Sequence, residues 1–335
     1  MLSIIIPTLN EAANLPCLLD DLKRQRGIDL QVIVADGGST DGTLRNLDVD
    51  SVVTRPNRAA QLNAGAEIAV HDSLLFLHAD SRVPDPDTLA EAARFMGALP
   101  DSTAGHFRLR FVGPQAEHPG FRYLEKKTEL NRPNTTNGDQ GFWVPRALFD
   151  CVGGFDETLP FLEDQRFAEA VRRVGQWVTL PGWIETSTRR FAAEGFGRRY
   201  LTMAIMMGVY DAGVTDFFER VAAYRPHPDQ RLDLGPVIRA MYGVTLDRDW
   251  RDALKMWEDV GRFVRGNAWQ IALLTDVYLL EDNSTPCLRY YEQVVEPQLD
   301  HVWLDRVAAY LTAGFFLGAV PLYWAAKQTR SSAGR

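Results

Sequence analysis

The segment LLFLHADSRVP, Leu74 to Pro84, changes character halfway along. Leu74, Leu75, Phe76 and Leu77 form an unbroken apolar run, which reads as a strand buried on both faces. His78, Asp80, Ser81 and Arg82 follow, and Pro84 and Pro86 then turn the chain away. A turn needs only an Asp or a Pro. A His and an Asp together leave a metal site or an acid–base group open beside the plain turn.

The same grammar repeats around this segment. Leu2–Thr8, Leu30–Ala35 and Ser51–Thr54 read as short apolar strands. Asn14–Arg26 and Arg58–Val70 carry helical spacing, through Leu15, Leu18, Leu19 and Leu22 in the first and Leu62, Ala66 and Ala69 in the second. Gly37-Gly38 breaks the second strand, and Asp41 is placed to cap a short helix. Further on, Phe107–Val112, Gly141–Val144 and Trp177–Leu180 read as strands, and Phe121–Leu130 and Glu163–Val174 as helices. Apolar strands alternating with helices predict an α/β fold, a mostly parallel sheet covered on both faces. From Tyr200 the pattern turns helical, and the Pro-rich Arg225–Asp233 marks a boundary.

The bulk composition removes some classes. The 335 residues are 46% hydrophobic and 24% charged, enough for a full core in one large domain or two ordinary ones. A net charge of −8 argues against nucleic acid as the main partner. Cys17, Cys151 and Cys287 are far apart with no zinc spacing, so free thiols are expected. The first residues lack the basic region and cleavage site of a signal peptide. Val307–Ala326 holds twenty residues without a charge, has aromatics near both ends and a Gly314/Gly318 pair, and is followed by Lys327 and Arg330. That segment reads either as membrane-associating or as a buried C-terminal helix.

Polar residues collect where the strands end. Asn10 and Glu11 follow the first strand, Asp36, Ser39 and Asp41 the second, and His78 and Asp80 the fourth. In open parallel sheets that edge binds ligands. Each loop alone also reads as a helix start or a turn with a cap. No GxGxxG follows the first strand, no GxxxxGK[ST] is present, and no GxSxG elbow is present. Those absences set aside dinucleotide binding, P-loop chemistry and the commonest hydrolase signal.

The ordered set SIIIPTLNEAANL, VIVADGGSTDGT, RAAQLNAGA, LLFLHADSRVP, NGDQGFWVPRALFDCVGGFDE and FLEDQRFAEAVRRVG resembles family 2 of the inverting glycosyltransferases. It is most like a short, non-processive bacterial subgroup, over residues 2 to about 220. The resemblance implies a GT-A fold, a nucleotide-binding αβα sandwich with an acceptor-binding half. It places residues 1–225 in the transferase domain, with 1–100 as the nucleotide half and 101–225 as the acceptor and catalytic half. Residues 226–335 are then a helical extension.

The resemblance also implies roles. Asp36 accepts hydrogen bonds from the nucleobase, and Thr8, Asn10 and Glu11 lie along the nucleoside. Arg58 and Asn63 face the nucleotide and sugar, where a cation offsets diphosphate charge. Asp80 is the last carboxylate of the DxD-type motif and binds Mn²⁺ or Mg²⁺ together with the diphosphate. His78 stands where relatives commonly carry Asp, and reads as a metal ligand, as a donor to Asp80, or as a strand-end residue. Asp164, beside Glu163, is the general base; the plain alternative is helix N-terminal charge. Gly138, Asp139 and Gln140 edge the sugar and acceptor pocket. Phe142 and Trp143 stack on a sugar or pack in the core, with core expected for at least one. Arg189 and Arg190 hold diphosphate or a phosphorylated acceptor, or form a solvated basic patch.

The expected reaction moves one sugar from a UDP- or GDP-linked donor to a hydroxyl or lipid-phosphate acceptor. Absence of QxxRW and of a helix array argues against polymerisation. The expected partners are the donor and a glycan, lipid-linked or small-molecule acceptor. The expected location is the cytoplasm, with possible contact through 307–326 to the inner face of the membrane. The rival reading is a non-catalytic nucleotide-sugar-binding or scaffold module, motivated by His78.

Overall fold

The computed structural model describes residues 1–222, 232–280 and 284–320. The chain divides into two compact units, Met1–Arg189 and Arg190–Arg335. The first holds a seven-stranded sheet: β1 (Leu2–Thr8), β2 (Leu30–Asp36), β3 (Asp50–Val53), β4 (Ser73–Phe76), β5 (Thr103–Val112), β6 (Phe142–Pro145) and β7 (Gln176–Ser187). Their order is β3-β2-β1-β4-β6-β5-β7. All neighbours pair in parallel except β6, which runs against both β4 and β5. The mostly parallel α/β sheet expected from the strand pattern is therefore present.

β1 lies inside the sheet because it is apolar on both faces. Leu2, Ile4, Ile5 and Ile6 are fully buried, and Ile5 lies in register with Ile33 of β2 and Phe76 of β4. Helices cover the faces: α1 (Leu15–Lys23), α2 (Arg58–Ile68), α3 (Thr88–Met96), α4 (Pro119–Thr128), α5 (Arg146–Val152) and α6 (Glu163–Val174). α2 presses closest. A Cβ on Gly65 would lie 2.4 Å from Cγ2 of Ile5, so only glycine fits there. Phe76, Phe149, Phe155 and Phe167 stack beneath β4 and tie α5 and α6 to the sheet.

Several local readings are corrected. No helix follows Asp41; its carboxylate instead accepts from Thr43 and Ala12 and holds a turn. β7 runs seven residues past Leu180, because it pairs with β5 as far as Ser187. α3 and α5 lay outside the pattern reading. The compact units divide between Arg189 and Arg190. The sheet ends at Ser187 and every later described element is helical, so the compact units part where strand gives way to helix.

The second unit contains α7 (Arg189–Glu194, which starts at the junction), α8 (Phe196–Asp211), α9 (Thr215–Ala222), α10 (Gly235–Leu246), α11 (Trp250–Gly266), α12 (Trp269–Leu279), α13 (Pro286–Tyr290), α14 (Glu296–Leu299) and α15 (Val302–Gly314). A π turn, Phe315–Ala319, continues α15. Most of the Arg225–Asp233 boundary and residues 321–326 of the uncharged segment lie outside the described residues. Among the described residues no helix is long and apolar enough to cross a membrane. The three cysteines are free thiols.

Gly65→Ala is expected to destabilise the first unit by about 1–3 kcal/mol, because the added methyl overpacks Ile5. Urea denaturation should show a lower midpoint with an unchanged slope.

Candidate active site

β2, β1 and β4 are adjacent, so the loops leaving their carboxyl ends lie side by side. Hydrogen bonds zip the first two loops together. Asn10 N–H donates to Ser39 Oγ (2.7 Å), Thr40 N–H to Asn10 Oδ1 (2.9 Å), and Glu11 N–H to Thr43 Oγ1 (2.9 Å). Asn10 takes a left-handed conformation, φ +58°, a region that Asn tolerates. Gln61 Nε2 donates to the carbonyls of both Thr8 and Ala35, joining α2 to the ends of β1 and β2.

Asp36 is the knot of this assembly. Its carboxylate accepts from Thr8 Oγ1 (2.9 Å), Gly38 N–H (2.8 Å), Ser39 N–H (2.7 Å) and Ser39 Oγ (2.6 Å). Burial opposes its charge, but these donors outweigh that and hold the carboxyl below its ordinary range. The residue is fully buried. The geometry thus spends Asp36 and Thr8 on holding the loop.

The loop after β4 is fixed from outside. Arg82 exchanges backbone bonds with Glu185 (2.9 Å each way). Its guanidinium grips the buried carboxylate of Asp21 on α1 through Nε and Nη2, and Asp21 also accepts from Val83 N–H (3.1 Å). Asp80 lies just before these anchors, half-buried.

Glu163 and Asp164 open α6 after Leu162, which holds φ +64°. A leucine in that region is strained. Surrounding bonds impose it. Gly138 N–H donates to Asp164 Oδ2 (2.7 Å), and Gln165 Nε2 donates to Thr136 O and to Asn137 Oδ1 (3.1 Å). Arg58, the first residue of α2, pairs with Glu163 Oε1 at 3.1 Å and keeps 45% of its side-chain surface exposed. Desolvation works against its charge, but Glu163, Asp164 and Asp80 all act on it and outweigh that. Asp164 is pushed up to about 6, first by burial and then by Glu163; the Gly138 N–H, Arg58 and the Gln165 N–H pull the other way.

His78 meets this group over Gly138. A Cβ built on Gly138 would lie 3.1 Å from His78 Nε2 and 3.3 Å from Asp164 Oδ2. The structure therefore brings together Arg58, Asp80, Glu163, Asp164, Gly138 and His78.

Other expected site residues lie elsewhere or are engaged elsewhere. Trp143 and Phe142 are both buried in β6 and serve the core. Gln140 is fully buried, and its side chain accepts from Asn137 N–H (2.6 Å). Asn63 donates to Phe155 O and Glu157 Oε1 and accepts from Phe155 N–H, which pins the loop before α6. Asp139 stays half-buried beside Gly138. Arg189 and Arg190 are exposed at the unit junction. Gln61 and Gln165, absent from the motif reading, organise the loops; a glutamine on the buried side of a helix is the signal that marks them.

The sequence profile of glycosyl transferase family 2 matches residues 3–155. The "PGL/p-HBAD biosynthesis glycosyltransferase" of Mycobacterium bovis (strain BCG) is 42% identical over 177 residues, covering 50% of this chain and 68% of the relative. The chain belongs to glycosyl transferase family 2. "Succinoglycan biosynthesis protein ExoA" of Rhizobium meliloti is 29% identical over 208 residues, 52% of this chain and 60% of that protein. Among solved structures, S. aureus TarS matches with a TM-score of 0.45 and 16% identity over 87% of this chain, which spans about half of TarS (55%). Mannosyltransferase PcManGT from Pyrobaculum calidifontis, solved with GDP-Man and Mn²⁺, matches with a TM-score of 0.46 and 19% identity, covering 95% and 87% of the two chains. The glycosyltransferase expected from the motifs stands on the family match.

The raised carboxyl of Asp164 fixes a sign for stability in this transferase. A carboxyl whose pKa is higher folded than unfolded favours the fold below its unfolded value of 3.8, and that advantage is lost as pH rises through about 6. Without metal, Asp164→Asn should therefore be more stable than the natural chain near pH 8, by about 1–2 kcal/mol. The gap should close below about pH 4. Thermal melts across pH read this directly.

Proposed function

We propose that the chain is an inverting, metal-assisted glycosyltransferase that adds a single sugar from a UDP- or GDP-linked donor to an acceptor hydroxyl. The observation that carries this reading is Asp164, held by Gly138 N–H, beside Glu163 and facing Arg58, with its carboxyl pushed up to about 6. A base needs a pKa near working pH, and burial next to a second carboxylate supplies that.

In this mechanism Asp164 takes the proton from the acceptor hydroxyl as its oxygen attacks the anomeric carbon. The bond from that carbon to the diphosphate oxygen breaks on the opposite face, and the nucleoside diphosphate leaves. Arg58 sits where a cation offsets charge gathering on the diphosphate. Among the described residues no three His, Cys, Asp or Glu side chains form a group able to hold a metal alone. Asp80 would then be the residue that holds an ion suited to oxygen donors, Mn²⁺ or Mg²⁺, together with the donor. Such an ion, when bound, supplies positive charge to the leaving diphosphate. His78, meeting Asp164 over Gly138, serves the sugar side of the site rather than the metal. Asn10, Glu11 and the exposed rim of the second loop form the nucleoside edge, with Asp36 and Thr8 holding it in shape. Gly138 and Asp139 border the sugar.

The acceptor is a glycan or a lipid-linked carrier at the inner face of the cytoplasmic membrane; a relative named for succinoglycan biosynthesis fits a glycan-building role. We take residues 1–189 as the donor-binding and catalytic part, with 190–335 an addition to it.

Transfer or hydrolysis of a UDP- and GDP-sugar panel with Mn²⁺ or Mg²⁺ tests the reading. Asp164→Asn should cost about 10²–10⁴-fold in kcat, and Asp80→Ala should abolish the metal requirement along with most of the rate. Unchanged turnover in both variants would remove both roles. A phosphate acceptor, already anionic, would leave Asp164→Asn active. Tight UDP or GDP binding with no turnover on any acceptor would favour the non-catalytic module.

The rate should also fall as pH drops through about 6, because protonated Asp164 cannot accept a proton. Glu163→Gln should move that limb to lower pH by removing the repelling charge. Arg58→Met should move it higher by removing the attracting one. A limb that moves the same way in both variants would assign it to another group.

A further inference from the structure

Helix α15 is built inside out. Its inward side carries an ionic group and small residues. Asp305 pairs with Arg265 and, at 3.7 Å, with Arg262 of α11. Ala309 packs so tightly on α11 that a Cβ on Gly261 would lie 2.4 Å from its backbone nitrogen. Phe316, just beyond the helix, reaches back to Trp257 with ring centroids 6.0 Å apart, and its carbonyl accepts from Tyr242 Oη at 2.6 Å.

The outward side holds the apolar residues. Trp303 is 62% exposed, Tyr310 65% and Leu311 70%, with Val307 and Phe315 also exposed. The spacing of Trp303, Val307, Tyr310 and Leu311 is i, i+4, i+7, i+8, one continuous helical stripe. Gly314 extends it and meets nothing within 4 Å. Arg306, at the edge of the stripe, is paired with Glu258 at 3.2 Å. A helix on a water-facing surface shows the opposite arrangement.

We propose that this outward face of α15 is a lipid-binding surface, and that the chain lies on a bilayer through it rather than spanning one. Three observations choose lipid as the occupant. Trp and Tyr on an exposed stripe match the headgroup level of a membrane, where an apolar body and a polar tip are both satisfied. The uncharged sequence runs on from the stripe to Ala326, and Lys327 and Arg330 follow, the order expected of a segment meeting an anionic leaflet. The opposite side of α15 is packed on α11 through Ala309 and Asp305, so only one face of the helix is open to lipid, as in an interfacial position. The inference does not depend on the transferase reading.

The test is flotation of the full chain with vesicles of phosphatidylcholine alone and with phosphatidylglycerol added. The natural chain should float with both, and still with the neutral vesicles at about 0.5 M salt, because the stripe is apolar. The triple variant Trp303→Ser, Tyr310→Ser, Leu311→Ser should bind about tenfold or more weakly, with unchanged circular dichroism and melting temperature. Val70→Ser, an exposed apolar residue of the first unit, should bind normally. Equal binding by the triple variant would overturn the proposal and pass the role to the segment after 320. A natural chain that ignores vesicles and sediments as a dimer, becoming a monomer in the triple variant, would overturn it in favour of a second copy.

Discussion

The parallel pairing of β1 with β2 on one side and β4 on the other is the constraint from which the site follows. β1 is apolar on both faces, so it must lie inside the sheet. Parallel neighbours end at the same edge, so three polar loops are delivered together without any attraction between them. The register is tight: Ile5 faces Ile33 and Phe76, β4 ends there, and β1 and β2 end together three residues later at Thr8 and Asp36. The glycine at 65 lets α2 settle onto β1 and so carries Arg58 to that same edge. The chemistry is therefore positioned by core packing, and its own groups are free to be badly placed energetically.

They are badly placed. Asp164 is half-buried beside the buried Glu163, and Asp80 acts on the same Arg58. Leu162 is held in a left-handed conformation to start α6. Such costs persist only where the surroundings over-determine them. Here the surroundings are named: Gln165 reaching to Thr136 and Asn137, Gly138 donating to Asp164, and Asn63 and Arg55 holding Glu157.

The strands were legible because burial on both faces leaves a simple mark, a run of aliphatic residues. α6 was legible from end to end, since Glu163 and Asp164 mark its start and its apolar stripe from Phe167 stops with the helix at Val174. The motif residues were legible as a group and less so one by one. Asp36, Thr8, Asn63 and Gln140 sit in the right motifs, but their side chains are spent on holding loops. A motif records that a residue is needed at a place and does not record whether the ligand or the neighbouring loop needs it. Trp143 was open between sugar and core, and strand pairing on both sides of β6 decides for the core. α15 was harder, because an uncharged segment says nothing about which side of the helix meets the protein. That depended on Gly261, whose missing side chain admits Ala309.

The substitution at 78 makes sense in the same terms. His78 Nε2 and Asp164 Oδ2 approach the same point above Gly138, so a carboxylate at 78 would add a second like charge close to Asp164, beside Glu163. Like charge disfavours the ionised form. Asp164 already stands at about 6, and a further rise would leave it protonated at neutral pH and unable to act as the base we propose. An imidazole brings no negative charge, so it avoids that repulsion and still presents a polar nitrogen above Gly138. Three carboxylates, Glu163, Asp164 and Asp80, already act on Arg58, so a further anion at 78 would add repulsion among them.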